Sequence, residues 1–225
     1  MRGNAALAFA CPGAVRRVVL ASGFAVGLYA VRVARTGDFT FGFLLWNLTL
    51  ALVPYALALP RRGGAPRMLA WLLFFPNAPY IVTDLIHLRP RAVPYWFDVL
   101  MLAAFAWAGL VSGCLSLQRM HARVDARHGT RIGWAFVAAV ALASGLGIWL
   151  GRFVRLNSWD VVANPGALFE AVSVLVLHPL DSIQAWGVAV FFGAFVLVVY
   201  GSLTLQVGLQ EPHQRVANAS PTFDG

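Results

Sequence analysis

The sequence predicts an all-α fold, a membrane helical bundle of about six transmembrane spans with one short re-entrant or interfacial helix. Hydrophobic residues make up 60% of the 225 residues and charged residues 12%, whereas soluble domains contain about 25% charged residues. Apolar runs of about 20 residues, the length at which an α-helix crosses the hydrocarbon core, recur along the chain. The apolar content and the run lengths together predict a protein that crosses a membrane several times.

Basic and proline-containing turns set the limits of the spans. The third apolar run, for example, follows the basic loop 60–67 and ends at the prolines of 89–94, which cannot continue a helix. The apolar segment 167–177 is too short to cross a core of about 30 Å at about 1.5 Å per residue. We predict a single transmembrane domain over 1–206 with spans at 17–33, 39–59, 68–88, 97–118, 132–150 and 183–206, and a polar cytoplasmic tail over 207–225.

The arginines predict the orientation. The chain has 17 basic residues, all of them arginine, and a net charge of +8. In a soluble protein this charge would suggest nucleic acid, but the arginines flank apolar spans, as positive-inside topology requires, so we expect the lipid bilayer and no nucleic acid as partner. Eleven arginines fall on the side of the termini and six on the other. With an arginine-only composition typical of a GC-rich bacterium, this predicts a multi-pass protein of the bacterial inner (plasma) membrane with both termini in the cytoplasm.

The third span contains an unusual concentration of polar residues. Asn77 lies between Pro76 and Pro79, and Asp84 and His87 follow. The prolines predict a helix break near mid-membrane, which is tolerated where it meets protein or lines a wet cavity. Asn77, Asp84 and His87 fall on one face if the helix continues. Asn77 is roughly 15 Å along the axis from His87, so we expect it to lie apart from the other two.

Two other segments reach the same outer level of the membrane as Asp84 and His87. One is the start of the fourth span, with Asp98, and the other is the polar segment 151–160 after the fifth span. We therefore predict one polar cluster at the outer face, built from three segments. Its members from the last segment are Arg152, Arg155, Asn157, Trp159 and Asp160.

One interpretation of this cluster is an enzyme that acts on lipids or lipid-linked substrates. Asp84 and His87, at i and i+3, could share a divalent metal such as Zn²⁺ or Mn²⁺ that activates water, and no other cofactor is predicted. Arg152 and Arg155 could hold the phosphate or carboxylate of an anionic lipid headgroup. The catalytic candidates are Asp84, His87, Asp98 and Asp160. The ligand-binding candidates are Asn77, Arg152, Arg155, Asn157 and Trp159.

A second interpretation is a small-solute or proton-coupled transporter. Asn77 at the break would form a midplane site, and Asp84 and His87 would relay protons. No inverted repeat is visible among the spans, which weakens this interpretation.

A third interpretation, which the sequence favours, is a structural or accessory protein. The carboxylates would pair with Arg152 or Arg155 and lock the outer ends of the spans together, because buried charges are usually paired. His87 would hydrogen-bond a carboxylate, and Asp98 by itself would also suit the first turn of its helix. Trp159 would be an interfacial anchor.

Several of these motifs resemble a family of uncharacterised bacterial membrane proteins, domain of unknown function 1361. The matching pieces are FPNAPY at 75–80 with DLIHL at 84–88, WFD at 96–98, and GRF at 151–153 followed by Arg155 and NSWD at 157–160. The resemblance covers the chain from about the second span to the last. It implies a multi-span inner-membrane protein and carries no catalytic role with it.

Overall fold

The computed structural model describes residues 12–60, 64–89 and 93–218, with side chains up to residue 204. These ranges contain helices and no strands, so the all-α prediction is confirmed. The chain order is α1 (Pro12–Thr36), α2 (Phe43–Ala58), α3 (Ala65–Phe74), α4 (Asn77–Tyr80), a 3₁₀ segment (Ile81–His87), α5 (Tyr95–His128), α6 (Thr130–Trp149), a π segment (Leu150–Val154), α7 (Asp160–Ala163), α8 (Pro165–Leu177) and α9 (Ile183–Asn218).

Several helical stretches of the described chain are long and apolar enough to cross a membrane. They number five: Gly13–Thr36, Ala65–His87, Tyr95–His128, Thr130–Val154 and Ile183–Thr204. The second predicted span is the 16-residue α2, which is shorter than these five. The short helix predicted at 167–177 is α8, which begins at Pro165 with a hydrogen bond from the Ala167 N–H to the Asn164 side chain.

The helix α2 begins later than the predicted residue 39 because a turn precedes it. Gly37 has a φ of 66°, and the Asp38 carboxylate accepts hydrogen bonds from the N–H and the hydroxyl of Thr40. These two hydrogen bonds lower the pKa of the Asp38 carboxyl. The turn uses four residues that the apolar pattern had assigned to the span.

The helix α5 forms the centre of the bundle. Its most apolar window is 72% buried, against 17% to 39% for the other four long stretches. It packs against α1, α2, α6 and the 3₁₀ segment, while α9 packs along α6. Gly109 and Gly113 let α4 approach α5 closely, because a Cβ on Gly109 would lie 2.7 Å from the Ala78 carbonyl oxygen. Small residues at such positions bring membrane helices into backbone contact.

The long stretch Ala65–His87 is broken where the two prolines predict it. α3 ends at Phe74, α4 begins at Asn77, and the chain continues as the 3₁₀ segment to His87. The 3₁₀ segment has three residues per turn, so the side chains of Asp84 and His87 lie directly above one another. The change of helix type also changes the angle about the axis between these two side chains and Asn77. An unbroken α-helix, the condition under which Asn77, Asp84 and His87 would share one face, is therefore not met.

Candidate functional site

A polar loop after the π segment turns the chain back toward the helix break. Arg155 has a left-handed backbone with a φ of 66°, and the Leu156 N–H donates to the Leu150 carbonyl at 3.0 Å. Non-glycine residues adopt this conformation rarely, mostly where the surroundings fix it. The Asp160 carboxylate then accepts a hydrogen bond from the Asn157 N–H at 2.6 Å. Asp160 therefore stabilises the loop rather than joining Asp84.

The same loop supplies hydrogen bonds to the broken helix. The Ser158 hydroxyl donates to the Leu73 carbonyl at 3.1 Å and accepts from Asn77 Nδ2 at 2.9 Å. Asn77 Nδ2 also donates to the Phe74 carbonyl at 2.9 Å. The main-chain hydrogen bonds across the break go to other carbonyls, and these side chains supply donors to the carbonyls of Leu73 and Phe74.

The orientation of the Asn77 amide follows from these contacts. Its nitrogen must face the Phe74 carbonyl, because an amide oxygen at 2.9 Å from that oxygen would be repelled. The amide oxygen of Asn77 then points elsewhere and accepts no hydrogen bond from the described part of the chain. It remains an acceptor at the break.

A cavity of about 150 Å³ lies between α2, the helix break, the π segment and the loop. Its lining contains no charged side chain. The polar part of the lining is Asn47, Asn77, Tyr80, Asn157 and Ser158, and the apolar part is Trp46, Leu50, Leu73, Pro76, Gly147, Leu150, Gly151, Leu156, Val161 and Leu168. A Cβ on Gly147 would lie 2.7 Å from the Pro76 ring, so this glycine lets α6 close against the break.

An ion pair beside the cavity connects three elements. Asp84 is 1% exposed, and its Oδ2 accepts a hydrogen bond from Asn47 Nδ2 of α2 at 2.7 Å. Its Oδ1 lies 3.5 Å from Arg152 Nη1 of the π segment, close enough for an ion pair but without hydrogen-bond geometry. Arg152 also donates to the Thr83 carbonyl at 3.0 Å. The pairing of Asp84 with Arg152, one of those considered from the sequence, is present.

A comparison with known protein families identifies the family of this chain. Residues 46–199 match the family described as Protein of unknown function (DUF1361). The chain belongs to this family. The matched region begins at Trp46 and contains the whole cavity lining and the pair of Asp84 with Arg152. No curated protein and no solved structure matches the chain.

Asp98 lies in the matched region, but its partner does not. Asp98 Oδ1 accepts a hydrogen bond from Arg32 Nε of α1 at 2.9 Å, and both side chains are 1% exposed. Arg32 also contacts Asp38 Oδ2 at 3.2 Å, and its guanidinium lies 4.6 Å from the centre of the Phe41 ring. The expectation that Asp98 joins the cluster of Asp84 is therefore wrong, because the inward face of α1 supplies a nearer arginine.

In the topology predicted from the sequence, Arg32 is only one of the six arginines on the outer side. The sequence nevertheless contained a sign of its role, because Ala25, Tyr29 and Arg32 are spaced by four and three residues and share one helical face. Ala25 and Tyr29 are buried with Arg32. An arginine that continues an apolar inward face is a candidate for a buried ion pair.

The remaining candidates lie around the cavity rather than in it. His87 Nδ1 is 3.2 Å from the Asp84 main-chain oxygen, so this contact is not to a carboxylate, and the ring packs on Phe43 at 4.9 Å between centroids. Trp159 packs edge-on against Trp46 at 6.0 Å. Of the candidates from the sequence, Asn77 and Asn157 line the cavity.

Asp84 and His87, the two predicted metal ligands, have no third candidate ligand beside them among the described side chains. Among the side chains that the structure describes, up to residue 204, no group of three or more His, Cys, Asp or Glu is placed to hold a metal ion. Asp84 instead uses its carboxylate on Asn47 and Arg152.

The ion pair of Arg32 with Asp98 gives a stability prediction. We expect Arg32→Met to destabilise the protein by about 3–5 kcal/mol, because it leaves a buried carboxylate without its cation. Asp98→Leu should cost less, since Arg32 keeps Asp38. Thermal unfolding of the purified protein in detergent measures both.

The double variant Arg32→Met with Asp98→Leu should recover much of the loss, because no buried charge is left unpaired. Arg35→Met, an exposed arginine on the same helix, is the matched control and should have little effect. Additive losses in the double variant would contradict the pairing.

Proposed function

We propose that this protein is an accessory protein of the bacterial inner membrane that binds a small uncharged ligand in the cavity at the helix break. The observation that carries the proposal is the lining of the cavity, in which amides and hydroxyls alternate with apolar side chains and no charge is present. A charged ligand that leaves water requires an opposite charge, and this lining offers none.

The ionisable residues support a structural role for themselves. Asp84 and Asp98, both buried, each face an arginine of another helical element. Buried charges that are paired within the chain need no ligand to be stable. This agrees with the structural interpretation that the sequence favours and leaves ligand recognition to the uncharged groups.

The size of the cavity limits the ligand. A cavity of similar volume in another protein accommodates benzene, whereas sites for drug-sized molecules have about 300–1,000 Å³. The ligand proposed here is therefore a molecule or terminal group of roughly six to ten non-hydrogen atoms. The Asn77 amide oxygen favours a ligand with an N–H or O–H donor, and Trp46 and Leu168 favour an apolar face.

The proposed topology has six membrane segments with both termini in the cytoplasm. The five long stretches supply five of them. α2 supplies the sixth, since its 16 residues rise about 24 Å and it packs along α5 within the bundle. The exposed apolar side chains Phe169, Val176 and Leu177 of α8 suit a helix at the interface.

Cysteine labelling tests this topology. In a background with Cys11→Ser and Cys114→Ala, Asp181→Cys should react with a membrane-impermeant maleimide in intact spheroplasts, and Thr130→Cys should react only after lysis. Both positions are exposed, and α6 separates them. Reaction of both from the same side would overturn the crossing by α6.

Ligand-observed NMR tests the binding site with benzamide, benzoate and benzamidine, which share a ring and differ in charge. The neutral benzamide should bind, and the two ions should bind roughly tenfold more weakly or worse, because the cavity does not compensate their charge. The neutral cyclohexanol, which carries one hydroxyl donor, is a second probe.

Matched variants place the binding in the cavity. Leu168→Trp adds volume to the lining and should abolish benzamide binding, while Phe169→Trp changes the next residue of α8, which is 76% exposed and outside the lining. Equal binding by the two variants, or no binding of either neutral probe to the unchanged protein, would contradict the proposed site.

A further inference from the structure

A groove with a volume of about 370 Å³ lies at the other end of α3 from the cavity. The first turn of α3 forms one wall with Arg67 and Met68, and the last turns of α5 form the other. Met120, Arg123 and Arg127 are the residues of α5 that matter for its chemistry. Arginines thus face the groove from both walls.

The charge of Arg123 is held in place without being neutralised. Its Nη2 donates to the carbonyls of Ala58 and Pro60, at 2.8 Å and 2.7 Å, and its Nη1 lies 3.3 Å from Met120 Sδ. The carbonyls at the end of α2 fix the guanidinium, but they carry no full charge. The charge of Arg123 is therefore available to a ligand in the groove.

Arg123 and Arg127 form no ion pair with a carboxylate among the side chains that the structure describes. Asp125, on the same turns of α5, lies against α6, where a Cβ on Gly133 would be 3.3 Å from its own Cβ. Arg123 and Arg127 therefore give the groove positive charge, and that of Arg123 is held in a fixed position.

We propose that this groove binds the phosphate of an anionic phospholipid. Guanidinium groups match phosphate in geometry and charge, and Met68, Met120 and Val124 give the groove an apolar side suited to the acyl chains. Basic pockets between membrane helices on the cytoplasmic side bind such headgroups. Positive-inside topology alone requires basic residues at this end of the spans, but not a guanidinium fixed in a shared groove.

The site is independent of the cavity and extends the proposed function. It also differs from the headgroup site that the sequence suggested, since Arg152 is engaged with Asp84 and Thr83. A lipid in this groove would contact α3 and α5 together and so stabilise the folded bundle.

Thermal unfolding of the delipidated protein in dodecylmaltoside micelles tests the proposal. Dioleoyl-phosphatidylglycerol should raise the Tm by about 3–6 °C, and dioleoyl-phosphatidylcholine should raise it by clearly less. Inorganic phosphate distinguishes a lipid headgroup from a free anion. If phosphate alone raised the Tm as much as dioleoyl-phosphatidylglycerol does, the groove would be a site for free anions and the lipid assignment would be overturned.

Arg127→Gln removes one charge of the groove at an exposed residue and should lose at least half of the shift caused by phosphatidylglycerol. Arg131→Gln, an exposed arginine at the same end but outside the groove, is the control and should keep the full shift. Equal shifts with the two lipids, or equal shifts in the two variants, would overturn the proposal. Native mass spectrometry of retained phosphatidylglycerol provides a readout that does not depend on stability.

Discussion

Backbone hydrogen bonding at a helix break is the constraint on which this site depends. Pro76 has no N–H to give to the Leu72 carbonyl, and beyond it the Ala78 N–H donates to the Phe75 carbonyl rather than to that of Phe74. A carbonyl without a donor is costly in apolar surroundings, and a membrane segment can leave its helix only where protein or water replaces the lost bonds. Ser158 and the Asn77 amide meet that need at the carbonyls of Leu73 and Phe74.

The loop, the cavity and the nearby ion pair follow from this requirement. To bring Ser158 to the break, the chain must reverse after α6, and it does so through the left-handed Arg155 and the hydrogen bond from Asn157 to Asp160. A loop that touches the break at two points leaves space between its apolar side chains and α2, which is the cavity. Arg152, at the start of the reversal, is placed against Asp84 and ties the same elements together.

The sequence predicts the helices and the break well, because both depend on local chemistry. Run length and arginine position locate the long apolar helices, and the two prolines locate the end of α3. The partners of the polar residues depend on how the chain returns in space. The chain reverses at Arg155, which is not a glycine, so the sequence does not indicate a left-handed turn there. The contact between Ser158 and Asn77, 81 residues apart, therefore cannot be predicted from the sequence. The pairing of Asp98 with Arg32 is missed when Arg32 is treated only as a topology signal, although the helical face of Arg32 indicates burial.

A double-mutant cycle between Asn77→Ala and Ser158→Ala, read by thermal unfolding in detergent, tests most directly whether the loop completes the broken helix. If the two side chains form one unit that completes the broken helix, the second substitution should cost much less once the first is made, with a coupling energy of about 1 kcal/mol or more. Strictly additive losses would show that the loop and the break are independent. The cavity between them would then lose its structural basis.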